Sequence, residues 1–566
     1  MIFYDFEVFK FDWLAVMIDP FNKKIHRLHN SKAKLEEIHN ECKGGIWVGY
    51  NNRNYDQYIY KGILCDFDPK DISDFIIKKG RKGWEYSGLF NKIQHYTFDC
   101  SNRFNSLKQL EGFMGNSIKE TSVPFDIDRP LTQEEIEETF KYCQHDVEQT
   151  MEVFLKTKNE FDAQMSLLNT FGLPLSNISK TQAQLASIIL DARFVEHEDE
   201  WNIRMPETLQ LEKYNDVSKW FLNDSNHNEE NTLETDICGV PHVVAWGGLH
   251  GALNKYSYTC ADDELLVMAD VDQLYPTLMI RYNLLSRGVR DPKKFEEILN
   301  KSLELKRLKK KKEREPYKRI CNITYGAEGD PNNAMFDPLH RKLVCVFGQV
   351  LMIDLLEKVE PFTKLIQSNT DGVLLLLKRK DFDRLDDAVY EWEQRTGLHM
   401  SFDFFKRIIQ KDVNNYIAID YDGNAKTKGA FVKKLNDLDY DMPIVNKALN
   451  AYITDGVPVE ETINGCDDLR EFQKIVKISA KYTEAWHNGQ RLNDKTFRVF
   501  ADKRWSNGCL NKCKGTKNKW KMEKFANTPD HCFIWNDTVV GVKVPDYLDK
   551  IYYIEVAKKR LSQFGL

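Results

Sequence analysis

Asp270-Val-Asp-Gln-Leu-Tyr275-Pro276, Lys318-Arg-Ile-Cys-Asn322-Ile-Thr-Tyr325-Gly326 and Asn369-Thr-Asp371-Gly372 follow one another in that order. The apolar run Leu265-Leu-Val-Met-Ala269 in front of Asp270 reads as a strand. Thr363 to Leu377 reads as a hairpin, because Asn-Thr-Asp-Gly suits a turn and Val373-Leu-Leu-Leu-Leu377 is apolar. Such a hairpin lifts Asp371 beside the end of the Asp270 strand. Two adjacent carboxylates can hold a pair of divalent cations, the arrangement that stabilises attacking and leaving oxygens in an in-line phosphoryl displacement. Lys318 between them can neutralise a triphosphate, and Tyr275 and Tyr325 offer flat faces for a sugar and a base. Taken singly, each piece is an ordinary strand end or hairpin turn. Their order is what points to template-directed nucleotide addition.

A second acidic series opens the chain. Asp5-Phe-Glu7 lies on an expected strand, Ile2 to Val8, where period-two alternation puts both carboxylates on one face. Asn52-Arg-Asn-Tyr55-Asp56 follows the apolar Ile46-Trp-Val-Gly-Tyr50, and Tyr142-Cys-Gln-His-Asp146 falls in an expected helix. Residues four apart share a helix face, so Tyr142 and Asp146 can address one site. Four carboxylates and a tyrosine suit another two-cation centre, in which water is the nucleophile and the tyrosine orients it.

The first trio resembles the DxxSLYPS, KxxxNSxYG and YxDTDS motifs of family B DNA polymerases. The match holds at Asp270, Leu274, Tyr275, Pro276, Lys318, Asn322, Tyr325, Gly326, Thr370 and Asp371. Gln273, Ile323, Gln367, Asn369 and Gly372 depart from it, and Asn369 stands where the family has its first aspartate. The opening series resembles the DxE, Nx(2–3)(F/Y)D and Yx3D motifs of the proofreading exonucleases. Ser106-Leu107-Lys-Gln-Leu110 is similar to their (S/T)Lxxh strand-contacting element. Lys119 is only faintly similar to the hydrolysis-assisting lysine of protein-primed phage polymerases and reads as a surface lysine. Ala245-Trp-Gly247-Gly248 resembles the YxG(G/A) element without its tyrosine, and Asn414-Asn-Tyr416 resembles KxY without its lysine, for which Lys411 or Lys428 can stand in.

The resemblance implies a mixed α/β multidomain fold, an RNase H-like exonuclease followed by a right-hand polymerase. The expected boundaries are exonuclease 1–165, connecting helices 166–235, palm 236–290, short helical fingers 291–329, palm 330–425, and thumb with carboxy-terminal elements 426–566. It implies Mg²⁺ (or Mn²⁺) at Asp270, the Val271 backbone and Asp371, and a second set at Asp5, Glu7, Asp56 and Asp146 with Tyr142 positioning water. It places Tyr275, Arg314, Lys318, Asn322 and Tyr325 on a deoxynucleoside triphosphate. Asn52, Ser106, Leu107, Gly247, Gly248 and Tyr416 would meet primer-template DNA. Only 48 positions run from Asp270 to Lys318 and 53 from there to Asp371. That leaves little room for the insertions with which protein-primed phage polymerases grip a terminal protein and displace strands. The expectation is a compact, phage-like monomer that draws on a helicase, primase, single-strand-binding or processivity partner. A terminal protein gains no support. The competing expectation is an exonuclease whose polymerase half has decayed into a DNA-binding module.

Composition agrees with a multidomain globular protein. At 566 residues and 42% hydrophobic the chain can bury several cores. No run reaches the ~18–20 apolar residues of a membrane span, and the chain starts on a strand rather than a signal peptide. Twelve scattered cysteines read as reduced thiols of a cytoplasmic protein. Cys509, Cys513, His531 and Cys532 offer zinc-type ligands, with buried thiols as the default. The net charge of −6 excludes a uniformly basic surface, so nucleic acid would be met by local fields. The densest basic run is Lys306 to Arg319. A second basic and aromatic stretch, Arg498 to Lys524 with Trp505 and Trp520, is expected to track a duplex.

Overall fold

The Asp5 strand, Ile2–Val8, is apolar on both faces apart from its two carboxylates, as a strand covered on both sides must be. It is the middle of a five-stranded sheet ordered Lys24–His29, Trp13–Asp19, Ile2–Val8, Ile46–Gly49, Tyr96–Asp99 among the described residues. The first three strands pair antiparallel and the last two join parallel. Helix Gln133–Lys156 packs across Ile2–Val8 and Trp13–Asp19. It is started by a reciprocal capping box between Thr132 and Glu135. Tyr4, Trp47 and Tyr60 fill the opposite face of the sheet. The computed structural model describes every residue except Arg103, Lys517 and Asn518. For Gly515, Thr516, Lys519 and Trp520 it describes the backbone alone, so the Trp520 side chain lies outside the described residues.

The chain forms two compact units. The first combines Met1–Ser179 with Lys434–Ala448 and Pro458–Val556. The second is Lys180–Lys433 with Leu449–Val457 and Ala557–Leu566. Residues 426–566 therefore contribute to both. Within the first unit Arg498 corrects an expectation. The supposed start of a DNA-tracking stretch is 0% exposed, and every N–H of its guanidinium is used. Nε donates to Gln473 Oε1 (3.1 Å), Nη1 to the carbonyls of Trp535 (3.3 Å) and Asp537 (2.5 Å), and Nη2 to those of Gly112 (3.1 Å) and Asn116 (2.6 Å). Five acceptors match five donors, which is the condition for burying this cation. Burial, then nearby Arg470, pushes the group down to about 9.

In the second unit a seven-stranded antiparallel sheet runs in the order Met400–Phe405, Glu264–Val271, Gly372–Lys378, Thr363–Ser368, Gly248–Ala252, Val240–Ala245, Thr232–Ile237 among the described residues. Helix Pro338–Val359 is buried on nearly all sides, which suits its apolar composition. The charged segment forms two helices, Pro292–Arg307 and Lys311–Glu328. Pro316 sits inside the second helix without breaking it, so Arg314 and Lys318 share a face as expected. Among the described residues, no helix is long and apolar enough to cross a membrane.

Candidate functional site

The sheet register of the second unit brings its two motif aspartates together. Asp270 lies opposite Gly372, and the Val271 N–H donates to the Asp371 carbonyl at 2.7 Å. The turn between the hairpin strands is closed by the Asn369 N–H on the Gly372 carbonyl, also 2.7 Å. A Cβ at position 372 would stand 1.9 Å from Asp270 Oδ1, so glycine there makes room for the carboxylate. Gly248 does the same for the turn. A Cβ on it would lie 2.5 Å from Thr370 Oγ1, which accepts the Leu249 N–H at 3.3 Å. Gly248 is buried and seats Thr370, whereas Gly247 stays exposed. Gly248 thus gives the turn room to seat Thr370.

Charge around Asp270 is only partly balanced. Lys426 Nζ stands 3.8 Å from Asp270 Oδ2 and 3.3 Å from Asp403 Oδ2. Burial raises the Asp270 carboxyl, Lys426 draws it back, and Asp371 and Asp403 raise it again. Lys411 turns instead to Asp412 (3.3 Å). Tyr416 is 4% exposed in the core beneath the strand. Its phenol is pushed up to about 12, by burial first and then by Asp270 and Asp371. Tyr416 thus packs in the core cluster that includes Leu266 and Met268 of the Asp270 strand.

An open cavity of about 670 Å³ lies over this turn, lined by Tyr275, Arg314, Lys318, Asn322, Tyr325 and Asp371. The rings of Tyr275 and Tyr325 meet at 4.3 Å and 41°. The Tyr325 hydroxyl contacts Cys345 Sγ at 2.8 Å. Burial raises both phenols, so they remain neutral. Two further residues, which match no motif, tie helix Pro292–Arg307 to the residues lining the cavity. Lys306 pairs with Asp272. Ser302 Oγ donates to Gln273 Oε1 at 3.1 Å and receives Arg314 Nε at 3.3 Å. Helical spacing, with 302 and 306 one turn apart, was the available signal for them.

The first unit gathers the opening series. Asp5 and Glu7 project from Ile2–Val8, Asp56 starts helix Asp56–Leu64, and Tyr142 and Asp146 project from Gln133–Lys156. Burial is the main cause of every shift here. It raises Asp5, whose neighbours Asp56, Glu7 and Asp146 add to it, and Glu7, with Asp146 and Asp56 adding. Asp56 is pushed up to about 7. Asp146 rises to about 6, with Lys108 opposing the rise. Asp5, Glu7 and Cys143 bring ligand atoms within 4.8 Å of one another, as do Glu111, His145 and Asp146. Buried carboxylates that hinder one another's ionisation are a donor set that a hard divalent cation fits.

Lys108 is the residue that motif reading passed over, although it lies inside the quoted Ser106-Leu-Lys-Gln-Leu stretch. Ser106 opens helix Leu107–Met114, its N–H donating to Gln109 Oε1 at 3.1 Å. This places Lys108 against Asp146, 3.0 Å from Glu111 Oε1 and 4.7 Å over the Tyr142 ring. Ser106 and Leu107 stand at the start of the helix that carries Lys108, and Lys119 is exposed. Asn52 is 0% exposed and its Nδ2 donates to the Phe98 carbonyl at 3.3 Å. The zinc-type residues are engaged elsewhere. His531 Nδ1 contacts the Asn507 carbonyl (2.7 Å), Cys532 Sγ the Gly508 carbonyl (3.4 Å) and Cys509 Sγ the Asn511 Oδ1 (3.5 Å).

No protein-family model matches the chain. It is 22% identical over 501 residues to DNA polymerase 1 of Saccharolobus solfataricus, covering 81% of this chain and 54% of that one. The chain therefore spans about half the length of this curated relative. Among solved structures, the family B DNA polymerase of the archaeon Pyrobaculum calidifontis aligns with 100% of this chain and 77% of its own, at 14% identity and a TM-score of 0.40. The sequence match makes the chain a distant relative of an archaeal DNA polymerase.

Proposed function

We propose that this chain is a DNA-directed DNA polymerase with a 3′→5′ proofreading exonuclease centre, of the compact family B type that serves a phage or related mobile genome. The observation that carries the reading is the register of Asp270 against Gly372, which sets Asp371 beside it under a cavity faced by Arg314 and Lys318. The distant match to an archaeal DNA polymerase supports it.

Asp270, Asp371 and the Val271 backbone would hold two Mg²⁺ ions, with Mn²⁺ as a substitute. When bound, the ions neutralise charge on the transferring phosphoryl group and its attacking and leaving oxygens. The chain's own residues do the rest. Arg314 and Lys318 take the triphosphate, as cations suited to bidentate and point contacts respectively. Tyr275 packs beneath the sugar and excludes a ribose 2′-hydroxyl. Asn322 and Tyr325 border the new base pair. In the other centre Asp5, Glu7, Asp56 and Asp146 hold metal, Tyr142 orients water, and Lys108 offsets the charge of Asp146.

The substrates are primer-template DNA and dNTPs. Gly247 remains a candidate strand contact, and the opposed Lys514 and Lys521 of a basic hairpin suit a duplex backbone. The short motif intervals support reliance on a separate helicase or processivity partner.

The test is extension of a labelled primer-template with Mg²⁺, with and without dNTPs. Asp371→Ala is expected to lose extension on the order of a hundredfold or more and to keep primer shortening. Asp5→Ala is expected to do the reverse. Shortening by the natural chain together with no extension by Asp5→Ala at high dNTP would favour the decayed-polymerase nuclease.

A further inference from the structure

We propose that Ser302 is a positioning residue of the cavity, acting through a directed relay from Arg314 to Gln273 that presets the Arg314 guanidinium for a triphosphate. The inference rests on the nucleotide-binding reading given above and adds Ser302, which lies in no motif.

The direction of the relay follows from donor chemistry. Arginine can only donate, so its Nε–H must point at Ser302 Oγ, 3.3 Å away. Serine has one proton, and its remaining contact is Gln273 Oε1 at 3.1 Å. The hydroxyl must therefore accept from the arginine and donate to the amide oxygen. Both ends are fixed by backbone. Ser302 is 0% exposed on Pro292–Arg307. Gln273 stands in the left-handed region (φ 50°) just before helix Leu274–Arg281.

One turn beyond Ser302 on the same helix face, Lys306 pairs with Asp272. The helix is thus clipped twice to the two residues that follow Asp270 and Val271. Committing Nε to Ser302 leaves both terminal amino groups of Arg314 outside the relay, and these are the groups that match two phosphate oxygens.

The relay also has a cost that a purely stabilising contact would lack. With its oxygen held toward Ser302, Gln273 leaves Nε2 buried without a partner among the described residues. Unsatisfied buried donors are uncommon and mark strained or functional groups. A relay that ends on one fits a role in setting geometry.

Single-nucleotide insertion of dTTP opposite dA by the full chain tests this, with KM and kcat read separately. Ser302→Ala is expected to raise KM for dTTP about five- to tenfold, with kcat changed less than about threefold, because a contact to a charged group is lost before chemistry. Gln273→Met should raise KM likewise. The double variant should be no worse than Ser302→Ala alone, since both break one relay. Primer shortening should be unchanged in all three. Ser302→Thr, which keeps the hydroxyl, should restore KM to within about twofold of the natural chain if the relay is the cause.

An unchanged KM in a folded Ser302→Ala, or multiplying effects in the double variant, would overturn the relay alone. If Ser302→Ala does not fold, Gln273→Met at its partly exposed position decides the matter by the same KM criterion. A natural chain that inserts no dTTP overturns the relay together with the polymerase reading.

Discussion

Around Asp5 the described structure gathers four carboxylates on buried elements, with Lys108 as the ammonium in contact, and the interior raises Asp5, Glu7, Asp56 and Asp146 together. Around Asp270 the carboxylate is 45% exposed, Lys426 stands 3.8 Å away, and arginine and lysine line the cavity in front. The first centre is an acidic cluster in which the carboxylates raise one another. The second is a mixed field, with carboxylates and cations facing one cavity. The difference follows from secondary structure. A strand sandwiched between a helix and a second core buries its carboxylates. A strand end that opens onto a turn exposes them.

The largest effect expected on this contrast comes from removing the Lys108 ammonium from the acidic cluster. Lys108→Met leaves Asp146 and Glu111 facing each other in the interior. It should cost about 3 kcal/mol, the lower end for breaking a buried pair, and reduce primer shortening on the order of a hundredfold. Extension should persist. Melting temperature and the two activities, measured on one preparation, check it, and unaltered primer shortening would mean that Lys108 is only a structural partner of Asp146.

Next in size is the pH dependence of the metal-free protein. A carboxyl raised on folding binds its proton more tightly in the native state. Its stabilising effect is complete below the unfolded value, near 4, and is lost as pH rises through the folded value. For Asp146 and Asp56 the folded values are about 6 and about 7. In chelator, stability should therefore fall by about a few kcal/mol between pH 4 and 7. Mg²⁺ should restore more of it at pH 8 than at pH 5, because metal ligands must be deprotonated. Calorimetric melting across that range is the measurement. A flat metal-free profile would show that the acidic pocket is not strained.

The smallest effect belongs to the mixed field. Lys426→Gln removes the group that holds Asp270 down, so the acid limb of the extension profile should move to higher pH. With other cations nearby the rate at pH 8 should change less than about tenfold. An acid limb that stays in place would assign Lys426 to Asp403 alone.

Much of this was legible one segment at a time. The Ile2–Val8 strand, the Tyr142–Asp146 helix face, the Thr363–Leu377 hairpin and the charged helix pair follow from periodicity and turn chemistry, which are local. Burial of polar side chains has a different origin. Arg498 reads as a surface cation until its five acceptors, from Gly112, Asn116, Gln473, Trp535 and Asp537, are seen to converge. Asn52 and Tyr416 are likewise buried by segments that no local pattern brings together.

By itself, then, the sequence determined which elements carry carboxylates, which helix carries the basic groups and in what order they come. Tertiary structure alone decided which cation answers which carboxylate. Lys108 meets Asp146 across 38 positions, Lys426 meets Asp270 across 156, and Ser302 joins Arg314 to Gln273. Backbone conformation is set by neighbours in the chain. Charge pairing in an interior is set by distance in space, which no local pattern encodes.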